Sequence, residues 1–136
     1  MKSRESLIKF RRFQVDEKRR QVAQIEAMIA DFERMAAELD KQIVEEQDRA
    51  GIHDVNHFAY PTFAKAAIQR RDNLLQSAAN LQGQLDDAQG RLAEAFEELK
   101  KVELLEEKTQ ERDRVETDRR DQINMDEIGG RLAYHG

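Results

Sequence analysis

The chain has 136 residues, of which 38% are charged and 6% aromatic, with a single proline, no tryptophan and no cysteine. Its formal charge is −5 and its mean hydropathy −0.86. So polar a chain cannot fill a thick core, but it can form long helices that share a narrow apolar seam. The absence of cysteine removes disulfides, thiolate nucleophiles and cysteine-ligated zinc from consideration.

The first predicted element is a helix over about residues 4–50. From Ile8 the seven-residue series Ile8, Val15, Val22, Ile29, Ala36, Ile43 is apolar throughout, and Ile25, Phe32 and Leu39 follow its later members by three residues. Alternating steps of three and four make a coiled-coil seam. Gly51 closes the helix, because glycine takes the left-handed conformation that captures the last carbonyls.

A turn over about residues 51–61, "GIHDVNHFAYP", precedes a second helix predicted over about 62–128. The second seam runs Ala67, Leu74, Ala78, Leu81, Leu85, Ala88, Leu92, Ala95, Leu99, Val102. Gly129 and Gly130 are expected to end this helix and leave a frayed tail over 129–136. A connection this short cannot carry the chain back along the helix axis, so the two helices must be antiparallel. The expected fold is all-α: one long antiparallel two-helix coiled-coil hairpin with an overhanging C-terminal helix end.

In such a pair, facing residues have numbers that sum to a constant, and the seams restrict that constant to about 110 or 117. The second value sets Arg11 opposite Glu106 and Glu46 opposite Arg71, and places Val22, Ile29 and Leu39 against Ala95, Ala88 and Ala78. The first puts Arg11 against Leu99 and Arg71 against Leu39, an unfavourable meeting of charge with apolar surface. The register of 117 is therefore expected. It leaves about a dozen residues of the second helix beyond its partner, from near Val115, as a charged helix too short to be stable alone.

Charge is unevenly placed. Residues 1–20 hold eight bases against three acids, and residues 103–127 ten acids against five bases, so the two ends attract each other. Within the basic end stands "KFRRF", residues 9–13. Phe10 and Phe13 fall outside the seam and Leu7 on its flank, so the stretch reads as a docking surface with apolar anchors ringed by arginine. In this register Arg11 is held by Glu106, while Arg12 points outward. Ile123, Met125 and Ile128 give the overhang an apolar component of its own. On the second helix Ile68, Leu75 and Phe96 flank the seam, and Gly83 and Gly90 fall on its outward side.

Enzyme chemistry finds no support. The carboxylates recur at helical spacing among arginines, as on a solvated face, and there is neither a phosphate loop nor a nucleophile with its base. His53 and His57 have the spacing of a helical metal pair, but only Asp54 is near, and they are read as turn and capping residues. No cofactor and no metal is expected. Asp16 and Glu17 interrupt "KFRRFQVDEKRR", and with the net charge they argue against nucleic acid as a partner. No apolar run is long enough for a membrane span, and no apolar signal-peptide core follows Lys2, Arg4 and Glu5; a cytoplasmic protein without membrane insertion is expected.

The stretches "LAEAFEELKKVELLEEK" (92–108) and "RRDQINMDEIG" (119–129) resemble the C-terminal half of the FliJ family of flagellar type III export proteins. The opening with Leu7, Ile8, Phe13, Val15 and Glu17 is similar to that family's first helix. The resemblance implies a coiled-coil stalk like the central stalk of rotary ATPases, peripheral at the flagellar base. Its open end would enter and stimulate the flagellar export ATPase ring, and another part would contact the membrane export gate and export chaperones. The ATPase-docking residues would be Leu7, Phe10, Arg11, Arg12, Phe13, Glu107, Arg112, Ile123 and Ile128. Gate contact would fall on Phe63, Ile68, Arg71 and Leu75. The alternative is a passive coiled-coil scaffold or adaptor that joins two protein partners.

Overall fold

A computed structural model describes residues 2–135, with side chains from 3 to 132. Two helices, α1 (Lys2–Ala50) and α2 (Thr62–His135), pack against each other as an all-α hairpin, and no strand occurs among the described residues. The chain divides into two compact units, one of residues 15–94 and one of residues 1–14 with 95–136.

In the unit of residues 15–94, Val22, Leu85 and Ala88 form a buried cluster, with Ile25, Ile29 and Leu92 packed against it. Val15, Ala36, Ile43, Ala64, Ala67 and Ala78 are buried in the same unit. Burial thus recurs at steps of three and four along both helices, which is what a seam requires.

The register departs from expectation. Arg71 binds Asp40 through its Nη1 at 2.9 Å, and the buried cluster brings Val22 to Ala88; both pairings sum close to 110. In the other unit Arg4 lies 3.8 Å from Glu106 and Arg11 lies 4.0 Å from Glu98, again near 110. The expected pairs Arg11–Glu106 and Glu46–Arg71 are therefore not formed. Glu46 binds Arg49 of its own helix at 3.2 Å.

This register suits the turn. Gly51, with φ +73°, closes α1 through its N–H to the Gln47 carbonyl at 2.8 Å. The Gln47 side-chain amide then donates to the Tyr60 hydroxyl at 2.8 Å, fastening the last turn of α1 to the entry of α2. A shift by one heptad would break that bond and uncover the fully buried Ala64.

The turn itself is held throughout. The Asp54 carboxylate accepts from the Asn56 N–H and the Asp54 carbonyl from the His57 N–H, an Asx turn. Pro61, with its fixed φ, leads into α2, and its carbonyl accepts from the Lys65 N–H at 3.1 Å.

At its far end α2 does not stop at Gly129. The helix runs through Gly129 and Gly130 to His135, so the expected stop at Gly129 is corrected; Gly136, the last residue of the expected tail, lies outside the described residues. A glycine closes a helix only by turning left-handed, and Gly51 is the one glycine with positive φ among the described residues. In helical conformation the pair costs only about 1 kcal/mol per residue relative to alanine.

The register has a direct test. Cysteines introduced as Ile29→Cys with Leu81→Cys are expected to form a disulfide on mild oxidation, and Ile29→Cys with Ala88→Cys to resist it, because a heptad of offset exceeds disulfide reach. Preferential crosslinking of the second pair would refute the observed register.

Candidate interaction surfaces

The unit of residues 1–14 and 95–136 contains the "KFRRF" stretch. Phe10 and Phe13 are 52% and 56% exposed and Leu7 is exposed as well, so all three apolar side chains lie outside the seam. Periodicity explains their position: relative to Ile8 and Val15, both phenylalanines stand on the outer faces of α1. The Arg11 guanidinium carbon sits 5.9 Å from the Phe10 ring centroid, within range of a cation–π contact.

The two arginines differ, though not as expected. Arg11 occupies a seam position, where its side chain is 29% exposed, hydrogen-bonds Gln14 Oε1 at 3.1 Å and approaches Glu98. Its Nε is buried without a hydrogen-bond partner, so the Arg11 layer carries an electrostatic cost. Arg12, expected to be free, lies 4.0 Å from Glu103. Its side chain is nonetheless mostly exposed, and an ion pair of that length on the surface is worth only about 0.2–1 kcal/mol, so Arg12 can exchange Glu103 for another carboxylate.

Along α2 of the same unit, burial ends at Thr109. Every residue from 110 to 132 is exposed, including Arg112, Val115, Ile123, Met125, Ile128 and Leu132. The unpartnered stretch begins earlier than the expected Val115, because the observed register withdraws α1 by one heptad. Its ion pairs are local: Arg114 Nη2 to Glu111 Oε1 at 2.7 Å and Arg120 Nη2 to Glu116 Oε1 at 3.0 Å. Glu107 is exposed just before it. Sequence reasoning overlooked Leu104 and Leu105, which are exposed off the seam in this unit; two adjacent leucines, of which the seam can use neither, were the available signal.

In the other unit, Phe63 and Leu75 are exposed and Ile68 is half-buried. Arg71 is engaged rather than available. Its guanidinium binds Asp40 and Asp72, and these hydrogen bonds, Asp40's first, hold its pKa above the ordinary arginine value. The stem lies over the seam while the charged head leaves it, which is how an arginine can face Leu39 without penalty.

His53 and His57 serve the turn. His53 Nε2 is 2.9 Å from Asp48 Oδ1, and His57 Nδ1 accepts from the Ala59 N–H at 3.0 Å. Among the described residues no group of three or more His, Cys, Asp or Glu could hold a metal ion, and no helix is long and apolar enough to cross a membrane.

The seam cost at Arg11 is measurable. Arg11→Leu, which would meet the buried Leu99, is expected to raise the melting temperature by the equivalent of about 1 kcal/mol. Arg12→Leu should leave it unchanged within error, and thermal denaturation by circular dichroism distinguishes the two.

Among known protein families, the model described as "Flagellar FliJ protein" matches residues 3–136, nearly the whole chain. No curated protein and no solved structure gives a significant match.

Proposed function

The chain belongs to the FliJ family, non-catalytic coiled-coil proteins of flagellar export, and on that premise we propose that it binds and stimulates the flagellar export ATPase ring and connects it with the export gate and export chaperones at the cytoplasmic base of the flagellum. One observation carries the reading. From residue 110 to residue 132, α2 presents all its faces to solvent in the same unit that exposes Phe10 and Phe13. A helix this polar gains nothing from packing within the chain, and isolated helices are marginal, so a partner is the natural source of its stability.

In this reading Leu7, Phe10 and Phe13 are the apolar anchors, with Ile123 and Ile128 as a second set on α2. Arg12, Glu107 and Arg112 steer the approach through charge, and Arg11 serves the seam. Gate contact is assigned to the exposed Phe63 and Leu75 with Ile68 beside them, while Arg71 positions that face by its bond to Asp40. Export chaperones are the remaining partners.

The deciding experiment titrates the chain into purified export ATPase and follows ATP hydrolysis. Stimulation is expected, and Phe13→Ala should weaken binding by about 2 kcal/mol or more, the scale of a buried hot spot, without altering the melting temperature. Binding without any change in hydrolysis would instead identify a passive scaffold. Arg12→Glu should slow association, most strongly at low salt, because exposed charge acts on encounter.

Hydrogen exchange tests the unpartnered helix separately. Residues 110–132 are expected to exchange rapidly in the free chain and to become protected when the ATPase is added. Strong protection in the free chain would contradict the reading.

A further inference from the structure

The turn carries an aromatic ring that the fold does not use. Phe58 is 97% exposed, with its ring stacked on His57 at a centroid distance of 4.7 Å, and Val55 is exposed nearby. An exposed ring on a loose loop would carry no message. This turn is fastened: Gly51 and Ile52 donate to Gln47, Asn56 and His57 to Asp54, Ala59 to His57 and Tyr60 to His57. Phe58 is thus displayed by a backbone that has already lost its freedom, and a partner that covers it has little ordering entropy left to supply.

Beside the ring lies a hollow whose floor is α2. Thr62, Lys65, Ala66 and Gln69 line it, recurring at three- and four-residue steps on the side of the helix turned away from the seam. This is a different face from that of the buried Ala64 and Ala67.

Its charge is unusual for this chain. Twenty-eight residues of the sequence are acidic, yet no carboxylate lines the hollow and none stands in the first turn of α2. Lys65 has no ion-pair partner among the described residues. The surface is therefore an apolar ring beside a single available cation, with the Thr62 hydroxyl and the Gln69 amide as neutral hydrogen-bonding groups.

We infer that this surface is a docking site for a protein segment that places a carboxylate side chain next to a large apolar one. The apolar group covers Phe58 and Val55, and the carboxylate meets Lys65. Thr62 and Gln69 can donate to and accept from the segment's backbone. A single lysine is too little charge for a polyanion such as nucleic acid, whose binding depends on many phosphate contacts. The inference is independent of the proposed role in export, because it concerns residues assigned there to neither ATPase nor gate.

The experiment selects a phage-displayed library of random peptides on the full chain, with counter-selection on Phe58→Ser and on Lys65→Glu. Selected peptides are expected to carry Asp or Glu beside a large apolar residue. A synthetic peptide of that kind should bind each variant roughly tenfold more weakly than the unaltered chain. Both variants should melt at the unaltered temperature, since neither side chain is buried. Peptides that bind the variants equally well, or that lack acidic residues, would overturn the inference. So would self-association of the chain, measured by sedimentation, that disappears in Phe58→Ser, because the surface would then belong to a second copy.

Discussion

The bond between Gln47 and Tyr60 is the constraint on which the order of the hairpin's turn-bearing unit rests. Gln47 also receives the Gly51 and Ile52 N–H groups on its carbonyl, so one residue both ends α1 and fixes where α2 begins. Tyr60 is buried, and its hydroxyl needs a partner there. With that point fixed the facing layers follow, and several set a large residue against an alanine: Val22 with Ala88, Phe32 with Ala78, Ile43 with Ala67. Where an alanine faces a branched or aromatic residue, the helices can approach closely.

Polar residues in the seam change the account of specificity. Arg71 binds across to Asp40, whereas Arg11 sits near Glu98 with its Nε unpaired. The first is a satisfied pair that also rewards the observed register. The second is a cost, and such costs persist in coiled coils where they exclude alternative registers or oligomers. Neither arginine is buried outright, because a long stem can pack on the seam while its head reaches sideways to a carboxylate.

A membership shown by a match over residues 3–136 and a hairpin with a long unpartnered helix are consistent with one another. A coiled-coil component of an export machine has little need of a pocket; it needs side chains held outward. The chain meets that need with few apolar groups, each placed off the seam by helical periodicity: Phe10 and Phe13 on α1, Leu104 and Leu105 on α2. Between residues 110 and 132 the observed register leaves α2 no facing stretch of α1, and the seam positions Asp113, Glu116 and Arg120 there are charged.

Sequence by itself determined both helices, the seam positions, the closure at Gly51 and the outward placement of the "KFRRF" phenylalanines, because each is a matter of local periodicity or of one residue's backbone freedom. The family was legible as well, through its stretches at 92–108 and 119–129. Register was left to tertiary structure for a definite reason: a slip of seven residues returns every seam position to another seam position, so the pattern of apolar residues cannot distinguish the two pairings. Weighing Arg11 and Arg71 as point charges against leucines favoured the wrong one, since the reach of a side chain to Glu98 or Asp40 exists only in three dimensions. The same limit hid Phe58 and Tyr60. Two residues apart in one turn, they look alike as aromatic residues, and only the folded turn decides that one is buried against Gln47 and the other presented to solvent.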